Sequence, residues 1–183
     1  MKSPSLSFSH VGIHVHDPVA MEAFYTGTLG FFVTDRGRLE LPKGPVQLVF
    51  LSRNPDEHHQ IVLATGRPAE LAFNVVNQLS MRVDSLGGLK IMHERLRAQG
   101  NPDIHCVTHG NALSVYAPDP EGNRVELFVD TPWYVTQPMR VPVDLSLPDE
   151  QIMSQAEAHA RSLPGFRPRA QWRAEMARLM GMD

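Results

Sequence analysis

The sequence predicts an α+β fold in which two βαβββ modules form a cup-shaped mixed sheet with the helices outside, followed by a helical C-terminal extension. The main observation is an internal repeat: segments that begin at His10 and Gln78 share a strand-then-helix pattern at an offset of 68 residues. Three further stretches with strand character follow each segment. Beyond Thr131 the chain becomes proline-rich, which marks the end of the repeated part.

The strand that opens each module has one apolar and one polar face. Apolar side chains alternate with polar or small ones in both copies, and the phase is the same. The apolar positions are Val11, Ile13 and Val15 in the first copy and Leu79, Met81 and Val83 in the second. Successive side chains of a strand point to opposite faces. The polar faces cannot pack against the helices, and we therefore expect them to line the inside of a curved sheet.

Each opening strand leads into a predicted helix. Pro18 suits the first turn of a helix, and Gly30 and Gly100 are typical of helix ends. Apolar residues at helical spacing form one stripe per helix. These are Met21, Phe24 and Tyr25, then Leu89, Met92 and Leu96. The strands expected after the helices are residues 39–41, 46–51 and 60–64, then 105–107, 112–116 and 124–129.

The domain boundaries follow from the repeat. We predict a domain over residues 5–130, with modules at about 5–68 and 74–130, and an extension over residues 131–183. The extension contains two predicted helices, near residues 149–162 and 168–180. The second helix carries several arginines, which we expect to form a solvated face. Within the domain, Arg82 is expected to pair with Asp84 or Asp119 rather than to meet an acidic substrate.

The composition excludes several classes of partner. The net charge of −3 offers no electrostatic attraction for nucleic acid or anionic lipid. No apolar run approaches the roughly 20 residues that cross a bilayer, and the first residues lack the apolar core of a secretory signal. The single cysteine, Cys106, cannot form an internal disulfide, which is typical of a reducing compartment. We therefore expect a cytoplasmic protein with no membrane or nucleic acid partner, and exposed sheet edges favour a homodimer.

Residues 107–128 contain the most specific pattern in the chain. Asp119, Pro120 and Gly122 predict a turn between two strands. Glu126 lies in the second of these strands, between apolar neighbours. Because an unpaired buried carboxylate is very costly, Glu126 is expected to have a partner. A salt bridge to a nearby arginine is one explanation, and a bound metal is the other.

The same stretch resembles the signature of the extradiol ring-cleavage dioxygenases. These enzymes belong to the vicinal oxygen chelate superfamily, together with glyoxalase I and antibiotic-resistance proteins. The signature is an aliphatic residue followed by His109, Val115-Tyr116, Asp119-Pro120, Gly122 and Glu126, and every position is filled. The opening HVGIHVHD, with FYTGTLGF behind it, is similar to the first strand and helix of the superfamily. The resemblance covers residues 6–130, and its length suits the single-domain type I enzymes related to biphenyl-2,3-diol 1,2-dioxygenase.

The resemblance implies a metal site and a set of catalytic residues. His10 would be the first metal ligand and Glu126 the carboxylate ligand. The implied catalytic residues are Tyr116, His109, His59 and, as the alternative to His59, His58. Two neutral imidazoles and one carboxylate on one side of Fe(II) leave adjacent positions open for a diol and for dioxygen.

One position departs from the family pattern. The second histidine ligand belongs at the start of the second repeat, where this chain has Gln78. An amide oxygen binds divalent metals but is a poorer donor for iron than imidazole, although glyoxalase I uses glutamine at a repeat start. The predicted ligands are therefore His10, Gln78 and Glu126. The repeat also places the first-module counterpart of Glu126 among residues 58–61, so a histidine there is a possible replacement ligand.

Three functions follow from this interpretation. The first is a metal-dependent extradiol-type dioxygenase that cleaves an aromatic vicinal diol with O2, with Fe(II) as the metal. The second is a glyoxalase-like lyase or isomerase that uses Mn, Zn or Ni as a Lewis acid, and Gln78 favours it. The third is a non-catalytic protein that binds a small apolar molecule in the cup, and Glu126 argues against it.

Overall fold

The computed structural model describes residues 6–42, 44–71 and 73–182 of the chain. The chain divides into two compact units. The first unit comprises Met1–Val76 with Asp119–Asn123, and the second comprises Asn77–Pro118 with Arg124–Asp183. Within the described ranges, no helix is both long enough and apolar enough to span a bilayer.

The first unit contains one βαβββ module. Its strands are β1 (Val11–Val15), β2 (Phe32–Leu41), β3 (Gly44–Ser52) and β4 (Ile61–Thr65). Helix α1 (Pro18–Ala23) follows β1 and continues as a π-helical turn, Phe24–Thr28. The sheet order is β1-β4-β3-β2, with β1 parallel to β4 and the other pairs antiparallel.

The helix of the first unit forms where the sequence predicts it. Asp17 caps its N-terminus by accepting hydrogen bonds from two backbone amides, and Pro18 occupies the first turn. The predicted stripe is buried, with Met21 and Tyr25 fully inaccessible. The helical segment ends before Gly30, whose φ of 74° lies in the left-handed region that glycine adopts at low cost. The apolar stripe of α1 therefore covers the core side of this sheet.

The second unit contains the other module and the extension. Its module strands are β5 (Leu79–Arg82), β6 (His105–Thr108), β7 (Ala112–Pro118) and β8 (Arg124–Asp130), with helix α2 (Leu86–Ala98) after β5. The extension adds β9 (Trp133–Tyr134), β10 (Val141–Pro142), α3 (Asp149–Arg161), β11 (Arg167–Pro168) and α4 (Arg169–Leu179). The sheet order is β10-β6-β7-β8-β5, and β5 is parallel to β8.

The extension adds a strand to the sheet of the second module and also packs within itself. Strand β10 pairs with β6 and so adds a fifth strand to the sheet. Helix α3 buries one face, formed by Ile152, Ala156 and Ala160. Helix α4 buries no residue completely, but the Trp172 ring stacks on Tyr134 with centroids 5.3 Å apart. Trp133, at the start of β9, is 5% exposed.

The predicted α+β class, the two βαβββ modules and the two C-terminal helices are confirmed. Both modules share one topology, in which the opening strand lies parallel to the last strand of its module. The strand predicted over residues 39–41 is part of the longer β2, which begins at Phe32. Almost every residue of β2 is exposed, so its sequence lacks the alternation that reveals a half-buried strand.

Candidate active site

The polar face of the second sheet is built from the neighbouring strands β5, β8 and β7. In the register of this sheet, Ser80 and Tyr116 both lie directly opposite Glu126. Residues that are paired across strands project their side chains to the same face of a sheet. Gln78 stands two residues before Ser80 and therefore shares this face. The fold itself brings a phenol, a hydroxyl and an amide to one carboxylate.

Glu126 is buried and accepts three hydrogen bonds. Only 7% of the Glu126 residue is exposed. Tyr116 donates its phenol proton to Oε1 over 2.6 Å, while Gln78 Nε2 and Ser80 Oγ donate to Oε2 over 2.7 and 2.5 Å. Within the described ranges, no arginine pairs with this carboxylate. The arginine salt bridge considered as its partner is therefore wrong, and neutral donors satisfy the carboxylate instead.

His109 extends this group by one further contact. Its Nδ1 lies 2.8 Å from the carbonyl oxygen of Met139, and its Nε2 lies 2.9 Å from Tyr116 Oη. Burial and then the hydrogen bond and charge of Glu126 raise the pKa of Tyr116 to about 12. The phenol therefore stays protonated at neutral pH and can donate. We call Gln78, Ser80, His109, Tyr116 and Glu126 the carboxylate cluster.

The carboxylate cluster forms a continuous chain of polar contacts. A carbonyl oxygen only accepts hydrogen bonds, so His109 Nδ1 carries a proton toward Met139. The Tyr116 hydroxyl lies between His109 Nε2 and Glu126 Oε1 and joins the imidazole to the carboxylate.

A second cluster, the histidine cluster, lies in the first unit and consists of His10, His58 and His59. The His10 and His59 ring centroids are 4.3 Å apart, and the Nδ1 atoms of His58 and His59 are 2.9 Å apart. Burial, followed by the like charges of His10 and His58, lowers the pKa of His59. The ring of Phe50 on β3 packs beside His59, with the ring centroids 5.2 Å apart. His59 is therefore a neutral imidazole at neutral pH, and that form both binds metals and accepts protons.

The register of the first sheet corrects one expectation. Val11 pairs with Ile61 in the first module as Leu79 pairs with Val125 in the second. The first-module counterpart of Glu126 is therefore Val62, and it does not lie among residues 58–61 as predicted. His58 and His59 lie in the loop before β4. The strand repeat does not determine the conformation of this loop.

The turn of the predicted signature has a structural role. Asp119 is buried, with 3% of the residue exposed. It accepts hydrogen bonds from the backbone amides of Glu121 and Asn123, from the Asn123 side chain and from the Tyr25 hydroxyl. Glu121 in turn accepts from the backbone amides of residues 16 and 17 and pairs with Arg67. These contacts hold the turn within the first unit.

A family comparison identifies the chain. The model of the "Glyoxalase/Bleomycin resistance protein/Dioxygenase superfamily" matches residues 7–127. The chain belongs to this superfamily. The predicted resemblance to the vicinal oxygen chelate proteins is thereby confirmed.

Individual superfamily members show similarity of different kinds. "Biphenyl-2,3-diol 1,2-dioxygenase 2" from Rhodococcus globerulus is 30% identical over 67% of this chain. The chain spans 62% of the length of that relative. A glyoxylase/bleomycin resistance protein/dioxygenase domain from Frankia sp. EAN1pec has a TM-score of 0.59 at 23% identity, over 69% of this chain and 100% of that one. FosX from Listeria monocytogenes, a fosfomycin resistance protein solved with Mn(II) and sulfate, has a TM-score of 0.51 at 17% identity, over 68% of this chain and 93% of that one. The two structures support the shared fold alone.

Superfamily members typically use a divalent metal, and the donors of this chain fit one. A carboxylate offers about four acceptor positions, of which Glu126 uses three, with one free on Oε1. Gln78 donates through Nε2, which leaves its amide oxygen available. A carboxylate, an amide oxygen and neutral imidazoles are donors that divalent metals accept. In the part of the chain that the structure describes, no three His, Cys, Asp or Glu side chains are grouped closely enough to hold a metal. The assignment of His10, Gln78 and Glu126 to one metal therefore remains a prediction.

Two contributors to the site were missed by sequence reasoning. Ser80 donates to Glu126, and its parity with Gln78 was a signal that could have identified it. Met139 comes from the extension and orients His109 through its backbone carbonyl, which no sequence pattern reveals. Arg82 pairs with Asp130 over 2.9 Å, so its expected pairing with Asp84 or Asp119 is wrong. The strand alternation places Asp130 on the same face as Glu126.

Proposed function

We propose that this protein is a metal-dependent extradiol-type dioxygenase that cleaves an aromatic vicinal diol with O2. The observation that carries the proposal is the hydrogen-bonded chain from His109 through Tyr116 to Glu126. These three residues are the histidine, tyrosine and glutamate of the extradiol signature. A biphenyl-2,3-diol dioxygenase at 30% identity supports the same assignment.

The proposal assigns the metal to His10, Gln78 and Glu126, with His58 or His59 as a further imidazole donor. Fe(II), when bound, supplies the chemistry that lets O2 react with the diol. Both oxygen atoms of O2 enter the product as one ring carbon–carbon bond breaks. The ring opens to a carboxylic acid and a carbonyl group, so the reaction needs no external reductant.

The protein side chains would move protons and orient the substrate. His59, whose pKa is lowered, is neutral and can take a proton from a diol hydroxyl at a ring nitrogen. The Tyr116 phenol can donate a hydrogen bond to an oxygen that develops negative charge. His109 can orient the phenol, because its Nε2 contacts the phenol oxygen. The apolar ring of Phe50 packs against this base.

One observation favours a second candidate, a glyoxalase-like lyase or isomerase. Gln78 stands where the dioxygenases have histidine, and it is hydrogen-bonded to Glu126. An amide-containing ligand set binds Mn, Zn or Ni as a Lewis acid without a change of oxidation state. This candidate keeps the same metal position but predicts no reaction with O2.

Metal analysis and a ring-cleavage assay test the proposal. The protein is purified without added metal, its metal content is measured, and Fe(II) is then loaded under anaerobic conditions. Addition of 2,3-dihydroxybiphenyl and air should give a yellow ring-fission product and consume one O2 per diol. Metal binding without product or oxygen uptake would contradict the dioxygenase and favour the second candidate.

Substitution of the carboxylate provides the companion test. Glu126→Gln should lower the metal content at least tenfold, because a charged ligand becomes neutral. Glu94→Gln, at an exposed position on α2, is the matched control and should leave the metal content unchanged. Equal metal content in Glu126→Gln and in the unmodified protein would refute the assigned site.

A further inference from the structure

The polar face that carries Glu126 continues along strand β8 to Phe128 and Asp130. These residues share one face because strand side chains alternate. A rise of roughly 3.3 Å per residue places Phe128 about 7 Å and Asp130 about 13 Å beyond Glu126 along the strand. Opposite Asp130 stands Ala112, whose small side chain leaves room at this end of the face.

Two arginines meet the single carboxylate of Asp130. Arg82 Nε lies 2.9 Å from Asp130 Oδ2, and Arg169 Nη1 lies 2.6 Å from Oδ1. The Arg82 guanidinium also lies over the Phe128 ring, 5.3 Å from its centroid. Two guanidinium groups against one carboxylate leave a surplus of one positive charge. Arg82 is 62% exposed in its side chain, so its remaining N–H groups are open to a ligand.

A cavity adjoins this charged group. It has a volume of about 150 Å³, and its lining includes Ala112, Asp130, Trp133 and Arg169. Because Asp130 and Arg169 both line it, the cavity lies beside the excess of positive charge, which is the complement of a carboxylate.

We propose that this end of the polar face is an anion subsite, at which Arg82 selects substrates that carry a carboxylate. The inference rests on the proposed function for the diol end of the substrate, which would lie at Glu126. The separation of about 7 Å between Glu126 and Phe128 suits an aromatic ring with a short acidic side chain. The carboxylate would accept hydrogen bonds from the free Nη groups of Arg82 and extend toward the cavity.

Binding of two matched diols tests the subsite without turnover. The probes are 3-(2,3-dihydroxyphenyl)propionate and the neutral 3-propylcatechol, titrated calorimetrically into anaerobic protein. Charge-assisted hydrogen bonds are stronger than neutral ones, but the Arg82 side chain is largely exposed. We therefore expect the acid to bind about tenfold more tightly than the neutral probe, and this preference to weaken as the salt concentration rises.

Variants at the subsite should move the preference in opposite directions. Arg82→Gln should reduce it to less than about twofold, while Arg82→Lys should keep part of it. Asp130→Asn removes the competing carboxylate and should increase the preference above that of the unmodified protein. Arg173→Gln makes the same charge change at an exposed position of α4 and should have no effect. Circular dichroism of each variant verifies that it is folded.

The outcomes separate the subsite from the proposed function. Equal affinities for the two probes, or an unchanged preference in Arg82→Gln, would overturn the subsite even if ring cleavage is observed. A preference that depends on Arg82 in a protein that cleaves neither diol after Fe(II) loading would refute the dioxygenase and retain the anion subsite. The affinities are measured without turnover, whereas ring cleavage is measured by product formation. Each result is therefore interpreted independently of the other.

Discussion

Removal of one hydroxyl group, by Tyr116→Phe, tests whether the carboxylate cluster exists in solution. The substitution deletes the 2.6 Å hydrogen bond to Glu126 Oε1 and the 2.9 Å contact with His109. A hydrogen bond to a charged group contributes about 1.5 to 3 kcal/mol. Glu126 keeps its two donors at Oε2, so the carboxylate is not left unpaired. We therefore expect the free energy of unfolding to fall by about 2 kcal/mol.

Urea denaturation of metal-free protein measures this change. EDTA treatment removes the stabilisation that a bound metal would add. With a slope of about 2 kcal/mol per molar urea, the midpoint should shift by about 1 M. Tyr134→Phe is the matched control, because that ring stacks on Trp172 and its hydroxyl makes no hydrogen bond within the described residues. The control should unfold within about 0.5 kcal/mol of the unmodified protein.

A double-mutant cycle assigns the loss to the proposed partner. Tyr116→Phe and Glu126→Gln are measured alone and together, and residues in direct contact show coupling energies of about 0.5 to 3 kcal/mol. We expect at least about 1 kcal/mol of coupling. Additive effects, or a Tyr116→Phe variant as stable as the Tyr134→Phe control, would refute the hydrogen bond. If the proposed function holds, Tyr116→Phe should also lower kcat by about 10²-fold to 10³-fold.

Three further predictions concern the scaffold. Asp119→Ala removes the acceptor of four hydrogen bonds, so it should lower the free energy of unfolding by about 2 to 4 kcal/mol. In the same urea titration, Asp56→Ala on the surface should change this free energy by less than about 0.5 kcal/mol. Leu89→Ala on α2, which is fully buried, should lower it by about 2 to 5 kcal/mol, and Ile91→Ala, 58% exposed, should have little effect. Burial, aided by the charge of Asp144, raises the pKa of Cys106 to about 11, so the rate of alkylation by iodoacetamide should rise with pH to a midpoint near that value; a midpoint near 9 would show that the thiol is solvated.

Strand parity explains how much of the site could be predicted. Once Gln78 and Glu126 lie on strands of known phase, the face that each side chain occupies follows from the period of two. The parallel pairing of β5 with β8 then places Ser80 beside the carboxylate. Alternation also correctly separates the apolar from the polar residues of β1. This part of the prediction depends only on local backbone geometry, which the sequence encodes directly.

The contacts of Arg169 and His109 could not be predicted in this way. Both involve the extension, because Arg169 reaches Asp130 from α4 and the Met139 carbonyl contacts His109. The extension has no repeat and no periodic pattern that relates it to the module. Its contacts follow from the path of an irregular, proline-rich segment after β9. Tertiary placement of such a segment is set by packing against surfaces that are distant in sequence, so no local rule identifies its neighbours.

The two modules differ at the position of the Glu126 carboxylate. The two modules share one sheet topology, but the position equivalent to Glu126 is Val62. The first module instead offers imidazoles, at His10 before β1 and at His59 before β4. Two modules of one topology therefore carry different chemistry, with a carboxylate in one unit and imidazoles in the other. Val62→Glu would restore the symmetry of the carboxylates. If the proposed site is correct, this variant should bind divalent metal no less tightly than the unmodified protein but should lose ring cleavage, because an additional anionic ligand would occupy a position required by the diol or by O2.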